Sequence, residues 1–307
     1  MQIRTLGAAA GGGIPQWNCR CPNCISARQA SPDVKPLTQS SVAISSDGTD
    51  WYILNASPDI RQQIQSFPAL TPDNDNPRGT GIAGCILTDA EIDHTSGLLF
   101  LREGTLFQIY STPIVRQWLR EKFPVEPILS AFRPRPWIEL CFDEPVNLTS
   151  LEGVASTLWV EVIDLDPHPP IYAAGDAEDA AGSVVALSIE DRATGGTFLF
   201  APGVESISTA LDKAAQRADV VFFDGTFWSL TEMVDLGLST RNAQDMGHLP
   251  IHGEDGSLTW FRENSAKTKV YFHINNTNPI LNRGSAEYGM VVDAGIQVGQ
   301  DGDAFDI

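Results

Sequence analysis

The chain has 307 residues, of which 42% are apolar, and this fits one large globular domain or two smaller ones. Its net charge of −19, from 20 basic and 39 acidic residues, argues against a nucleic acid partner, because phosphates require neutralisation by Lys and Arg. The sequence contains neither a run of about 18 apolar residues nor the apolar core of a signal peptide. We therefore expect a cytoplasmic protein that binds neither nucleic acid nor a membrane.

The first chemical feature is a group of three cysteines, Cys19, Cys21 and Cys24. It follows a predicted strand at residues 2–6 and a glycine-rich loop. The chain has five cysteines, and three of them within six residues do not form a disulfide framework. Thiolates at this spacing can turn to one centre and bind Zn²⁺. The sequence therefore predicts a structural zinc clip at residues 19–24, with a fourth ligand from a distant segment.

A hairpin is predicted next, from strands at residues 40–44 and 51–55. Ser57 as N-cap and Pro58 at the first helical position predict a short helix. After a polar loop at residues 71–80, an apolar run at 81–88 predicts a buried strand.

Residues 89–94 leave that strand and carry Asp89, Glu91, Asp93 and His94. Polar groups at the exit of a buried strand lie at the carboxyl edge of a sheet, where layered α/β folds bind ligands. Alternation along a continuing strand would direct the three acids to one side. Four metal-capable side chains in six residues favour a binding site over a solvated acidic turn.

The second half repeats this arrangement of strands and helices. We predict, in order, a helix through residues 113–122, a β-rich stretch to 163, a surface excursion at 164–182, strands at 183–189 and 197–200, a helix at 206–217, strands at 219–223 and 269–272, and a peripheral acidic tail at 300–307. His168 in the excursion and His252 in the loop at 246–253 are interpreted as structural.

Three buried strands therefore end in metal-binding residue types, namely Asp93-His94, Asp224 and His273. Each alone is more often structural, but together they predict a metal site. Strands followed by helices in two similar halves predict an α/β protein built as a four-layer αββα sandwich.

The order Asp-His, then Asp-Gly-Thr, then a late His resembles the metallo-β-lactamase superfamily, whose motif is His-x-His-x-Asp-His. Asp89 and Glu91 replace its first two His, whereas Asp93 and His94 match. Longer blocks resemble the family of B proteins of pyrroloquinoline quinone (PQQ) biosynthesis. These blocks are residues 11–19, 55–61, 87–94, 247–251 and 273–279. The resemblance implies a single metallo-β-lactamase-like domain over 1–307.

The resemblance also implies a metal and a reaction. Loss of the first two His dismantles the first zinc site of the hydrolases, whereas Asp93, His94, Asp224 and His273 preserve the second site. Two imidazoles with carboxylates and open positions are typical of non-haem Fe(II) oxygenases. The family implies oxygen-dependent hydroxylation of the tyrosine ring in a Glu–Tyr cross-linked, amino-acid-derived precursor. Zinc can occupy this iron site in purified protein.

Further roles follow from these candidate ligands. His248 is a candidate general acid/base, and Asp89 and Glu91 are candidates for orienting ligands or taking substrate protons. In the related phosphodiesterase of the carbon–phosphorus lyase pathway, a His three positions after the last metal His completes the Cys₃ zinc site. Asn276 holds that position here and is the candidate fourth ligand. A carrier of PQQ or its precursor, a metal-dependent hydrolase of the phosphodiesterase type, and a homo-oligomeric state stay open.

Overall fold

The computed structural model describes residues 1–72, 77–103, 106–150, 152–165, 168–173, 175 and 181–307. Within them the chain forms fourteen strands and nine α-helices. The strands are β1 (Gln2–Gly7), β2 (Ser41–Ser45), β3 (Trp51–Leu54), β4 (Ile82–Ile86), β5 (Gln108–Ser111), β6 (Trp137–Glu139), β7 (Val146–Thr149), β8 (Ala155–Asp164), β9 (Val185–Asp191), β10 (Gly196–Ala201), β11 (Val220–Asp224), β12 (Thr268–Phe272), β13 (Gln297–Val298) and β14 (Ala304–Asp306). The helices are α1 (Pro22–Arg28), α2 (Ile60–Ser66), α3 (Ile92–Thr95), α4 (Pro113–Glu121), α5 (Val125–Phe132), α6 (Thr209–Arg217), α7 (Glu232–Asp235), α8 (Ser257–Glu263) and α9 (Ala286–Asp293).

By its internal contacts the chain divides into two compact units. The first comprises Met1–Leu6, Ser41–Thr197 and Gly302–Ile307, and the second comprises Gly7–Ser40 and Phe198–Asp301. Each unit is therefore completed by segments that are far apart in the sequence.

The first unit is built on a sheet with the strand order β14-β1-β2-β3-β4-β5-β6. Strands β2 and β3 form the predicted antiparallel hairpin, and β3 to β6 then run parallel to one another. Helices α4 and α5 cover this sheet, because Trp118 and Leu129 belong to the same buried apolar core as Ile53 and Ile109. Strands β7, β8 and β9 add an antiparallel ladder to this unit.

The second unit contains the parallel strands β10, β11, β12 and β13. Its core is aromatic: Phe222 lies 5.1 Å from Phe198 and 5.3 Å from Phe272 between ring centroids. Helix α8 covers β11, since Trp260 lies 4.8 Å from Phe223. Parallel strands direct their carboxyl ends to one edge of a sheet. The exits of β11 and β12 are thereby neighbours.

Three local predictions are wrong. The stretch predicted to be β-rich contains helix α5, whose buried Val125 and Leu129 have the i, i+4 spacing of an amphipathic helix. Helix α2 begins at Ile60 rather than at Pro58. The tail is an integral edge strand, because β14 pairs antiparallel with β1 and places Phe305 opposite Ile3.

Other local predictions are confirmed or lie partly outside the described residues. Helix α4 begins at Pro113 as predicted, and Thr112 caps it, since its hydroxyl accepts the amide of Val115. The predicted loops at 71–80 and 164–182 lie partly outside the described residues, while His168 is described in a loop and is half-buried. Within the described part of the chain, we find no helix with the length and hydropathy that a membrane span requires.

Gly97 marks the closest approach between the segment after α3 and the residues that follow β3. Its amide donates to the carbonyl of Ala56 at 2.9 Å. A Cβ at Gly97 would lie 2.2 Å from the carbonyl oxygen of Ser57 and 2.6 Å from that of Ala56. Only glycine fits here without a shift of the backbone.

We expect Gly97→Ala to lower the free energy of unfolding by about 3 kcal/mol, the upper range for overpacking a dense core. The matched control is Gly289→Ala inside α9, where a Cβ meets nothing within 4 Å. The control should gain about 0.5–1 kcal/mol from helix propensity. Urea denaturation measures both variants, and equal stabilities would contradict the close approach.

Candidate metal-binding sites

The thiols of Cys19, Cys21 and Cys24 converge in the second unit. Their sulfur atoms lie within 4.8 Å of one another, and all three residues are buried. Cys21 is the N-cap of α1, and Pro22 occupies the first helical position. Helix α1 thus begins inside the cysteine group, which turns Cys24 back towards Cys21.

Asn276 reaches the same point from the other end of the sequence. Its side-chain amide lies 3.1 Å from Sγ of Cys19, 3.5 Å from that of Cys21 and 3.3 Å from that of Cys24. The atom of Asn276 that contacts the sulfurs is Nδ2. Rotating the side-chain amide by half a turn would bring Oδ1 to the sulfurs instead. The structure therefore brings the candidate fourth ligand onto the three thiols, while ligation through Oδ1 stays a prediction.

Three buried sulfur atoms with one amide oxygen fit zinc, which favours four ligands and soft thiolates. Burial raises the pKa of the Cys21 thiol to about 12. At Cys19 burial acts in the same direction, but hydrogen bonds from the backbone amide of Cys21, from the thiols of Cys21 and Cys24 and from the amide of Asn276 outweigh it and lower the pKa. A bound metal ion deprotonates such thiols, so zinc would relieve the cost of keeping them buried.

In the first unit, the carboxylate of Asp89 holds the ring of His94. Nδ1 of His94 lies 2.7 Å from Oδ2 and 2.9 Å from Oδ1 of Asp89. With Nδ1 engaged in this way, Nε2 is the nitrogen that a metal ion would take. Oδ2 of Asp93 lies 3.8 Å from that Nε2.

The contact between Asp89 and His94 shifts the pKa values of both groups. Burial disfavours charge on both groups, yet the partner imidazole keeps the pKa of Asp89 below its usual range. The carboxylates of Asp89 and Asp93 outweigh burial at His94 and raise its pKa to about 9. A metal ion on Nε2 would take the place of the proton that these carboxylates otherwise favour.

Asn55 and Thr88 fix the position of Asp89. The hydroxyl of Thr88 donates to Oδ2 of Asp89 at 2.6 Å, and the side-chain amide of Asn55 donates to that hydroxyl at 2.8 Å. The backbone amide of Thr88 in turn donates to Oδ1 of Asn55 at 3.0 Å. Asn55 has φ of 60°, a left-handed conformation that Asn adopts more readily than most residues.

The expected alternation of the three acids is wrong, because the strand does not continue. Strand β4 ends at Ile86, and helix α3 places Asp93 and His94 on a helical turn. Asp89 is buried, whereas Glu91 is half-buried and donates its backbone amide to Oδ1 of Asp89 at 2.9 Å. Asp89 and Glu91 therefore face different surroundings.

In the second unit, Asp224 ends β11 and is fully buried. Its Oδ2 accepts the amide of Val204 at 2.8 Å and contacts Nδ1 of His248 at 2.7 Å. Its Oδ1 accepts the amide and the hydroxyl of Thr226 at 2.9 and 2.6 Å. Burial raises the pKa of Asp224, but these partners outweigh it, so that the pKa is lowered and the carboxylate stays ionised.

His273 follows β12 with φ of 57°. Its Nδ1 lies 2.9 Å from the hydroxyl of Thr226, and its ring stacks on His248 with 5.5 Å between centroids. One nitrogen or oxygen atom from each of Asp224, His248 and His273 lies within 4.8 Å of the other two. Two imidazoles and a carboxylate fit a divalent transition metal, and His248, expected as an acid/base, lies among the candidate ligands.

A family model described as "Beta-lactamase superfamily domain" matches residues 50–274. Coenzyme PQQ synthesis protein B of Acinetobacter baumannii (strain ACICU) is 41% identical over 302 residues, which cover 98% of either sequence. The corresponding protein of Pseudomonas aeruginosa (strain UCBPP-PA14) is 42% identical over 307 residues, again 98% of both. The chain belongs to the coenzyme PQQ synthesis protein B family of the beta-lactamase superfamily.

Solved structures agree with this family. The crystal structure of Zn(2+)-bound PqqB from Methylobacterium extorquens is 35% identical, with a TM-score of 0.88 over all of both chains. A diphosphatase from the PhnP family, 17% identical, has a TM-score of 0.68 over 100% of this chain and 97% of the other, which shows the fold alone. The predicted α/β metallo-β-lactamase fold, with two mixed sheets flanked by helices, is confirmed.

Sequence reasoning missed the residues that hold the candidate ligands in this member of the family. Thr88 and Thr226 each contact a buried acid and lie within two positions of it, so their spacing was the available signal. Tyr172, whose hydroxyl donates to the carbonyl of Ala90, gave no such signal. His252, interpreted as structural, is exposed and stacks on Trp228.

We expect Cys21→Ser to release the thiol-bound zinc and to lower the melting temperature, since a soft ligand is removed from a closed site. Cys141→Ser is the control, because Cys141 is exposed. Elemental analysis and thermal melting test both variants. Unchanged zinc and stability in Cys21→Ser would exclude a structural zinc at the thiols.

Proposed function

We propose that the chain acts in PQQ biosynthesis as an iron-dependent oxygenase that hydroxylates the tyrosine ring of a cross-linked Glu–Tyr precursor. The proposed substrate is a small amino-acid-derived molecule, and the proposed location is the cytoplasm. The names of the relatives support the pathway. The observation that carries the chemistry is the contact between Asp89 and His94.

This contact favours a single-metal site. Asp89 stands where the hydrolases have a metal-binding His, yet it accepts from Thr88, from the amide of Glu91 and from His94. A carboxylate used in this way orients a ligand and is poorly placed to be one. A two-metal phosphodiesterase requires metals about 3.5–4 Å apart. The hydrolase alternative is accordingly disfavoured.

We propose Asp93, His94, Asp224 and His273 as ligands of the iron. When bound, Fe(II) supplies activation of O₂ and lowers the pKa of a coordinated phenol or water. Asp224 already accepts four hydrogen bonds, two on each oxygen. Ligation by Asp224 requires the loss of one donor, and the hydroxyl of Thr226 can turn away because it also lies 2.9 Å from the carbonyl oxygen of His273.

His248 has the geometry of a general acid/base. Its Nδ1 contacts the buried carboxylate of Asp224 at 2.7 Å, which fixes the ring and directs proton exchange to Nε2. The side chain is 16% exposed, so a substrate can reach it. We propose that His248 takes the proton of the substrate phenol. The carboxylate of Glu91 is a second group that can transfer protons.

The metal requirement has a direct test. Affinity does not select iron at this ligand set, because Zn²⁺ outcompetes Fe²⁺ at most such sites. Protein loaded anaerobically with Fe(II), then given O₂ and a two-electron reductant such as ascorbate, should consume oxygen on the cross-linked intermediate and yield a product heavier by one oxygen atom. The reductant supplies the electrons that convert the second oxygen atom to water. The zinc-loaded protein is the control. Equal turnover by the zinc form would favour a hydrolase, and binding without turnover in either form would favour a carrier of PQQ or its precursor.

Substitutions of Asp89 and Asp93 should have different effects on iron binding and turnover. Asp93→Ala should abolish iron binding and hydroxylation, because it removes a charged ligand. Asp89→Ala should retain much of the iron but lose turnover, because it frees the ring of His94. Asp89→Asn keeps an oxygen acceptor and should lie between Asp89→Ala and the unmodified chain.

Iron per chain and initial rate, measured side by side, test this assignment. Iron lost from Asp89→Ala but kept in Asp93→Ala would reverse the two roles.

A further inference from the structure

One short segment of the second unit takes part in both candidate metal sites. It begins with His273, a candidate ligand, and reaches Asn276 at the thiols three residues later. The backbone between them is held by the N-terminal loop, because Ile274 exchanges hydrogen bonds with Ala8 and Ala10 at 3.0 and 2.9 Å. The position of one site is therefore tied to the other through a few bonds of the main chain.

Side chains reinforce this link. Asn23 lies in α1 beside Cys24 and is 5% exposed. Its amide donates to the carbonyl of Asn276 at 3.1 Å and to that of Asn278 at 2.8 Å. The helix that carries the cysteines thereby grips the main chain on both sides of residue 277.

Asn278 extends the link to the turn that carries Asp224, the candidate carboxylate ligand. Its side chain is fully buried, and its amide donates to the carbonyl of Gly225 at 2.8 Å. Gly225 lies between Asp224 and Thr226, and its own amide donates to the carbonyl of Phe272 at 2.7 Å. Asn278 thus contacts the turn that directs Asp224 at His248 and Thr226 at His273.

We propose that Asn278 and Asn23 are positioning residues that couple the closed thiol site to the imidazole–carboxylate site. The thiol site fixes residues 276–278, and these fix the turn at 224–226 and the start of the segment at His273. The inference rests on the proposed metal ligands but not on the hydroxylation. Groups that hydrogen-bond directly to metal ligands change metal affinity by about 10–100-fold when they are lost. Asn278 acts one residue further out, through the main chain at Gly225, so we expect the lower end of that range.

Asn278→Ser removes the contacts of the side-chain amide with the carbonyls of Gly225 and Thr226, at 2.8 and 3.4 Å. Oδ1 of Asn278 also accepts the amide of Ile280 at 3.1 Å as the cap of a short turn, and Ser can replace it there. The shorter Ser cannot reach Gly225. Asn282→Ser is the matched control, because Asn282 also caps a nearby turn, accepting the amide of Gly284 at 2.9 Å.

The measurement is a Zn²⁺ titration of chelator-treated full-length protein that keeps its thiol-bound zinc. Asn278→Ser should retain that zinc and bind the second equivalent at least about tenfold more weakly, whereas Asn282→Ser should match the unmodified chain. If Asn278→Ser lost its melting transition, Asn23→Ser would decide by the same titration. Affinities of a folded variant within about twofold of the unmodified chain would overturn the coupling. Because the titration measures binding alone, its result does not depend on whether the chain is an oxygenase.

Discussion

The contact between Asp89 and Nδ1 of His94 is the constraint on which the candidate centre of the first unit depends. Both groups are buried, and a buried charge is tolerated only when it is paired and fully hydrogen-bonded. Thr88, Asn55 and the amide of Glu91 supply those bonds. The left-handed backbone of Asn55 is part of the same arrangement, since it brings the amide to Thr88.

In the second unit, the imidazole of His273 is held by a neutral group rather than by a carboxylate. Its Nδ1 contacts the hydroxyl of Thr226, and the carboxylate of Asp224 contacts His248 instead. A carboxylate makes an imidazole a stronger base than a hydroxyl does. Of the two candidate imidazole ligands, His94 is therefore the stronger base.

The sequence predicted the residue types and the strand exits, because apolar runs and acids at their ends are local signals. The cysteine spacing was readable for the same reason, whereas Asn276 was identified only through the resemblance to a related phosphodiesterase. Helix α3, the tail strand β14 and the roles of Asn55 and Asn278 were not predicted. The pairing of β14 and the roles of Asn55 and Asn278 depend on neighbours far away in sequence: Asn278, for example, acts on Gly225 more than fifty residues earlier. Such contacts leave no periodicity in either segment.

The two candidate metal sites differ in the softness of their ligands. Thiolates at Cys19, Cys21 and Cys24 favour zinc strongly, and a closed site excludes water and redox partners. The imidazole–carboxylate ligands do not exclude zinc, so affinity alone cannot load them with iron. A chain that uses Fe(II) there must obtain it through the metal supply of the compartment. Filling the thiol site first would fix the frame around His273 before the second metal binds.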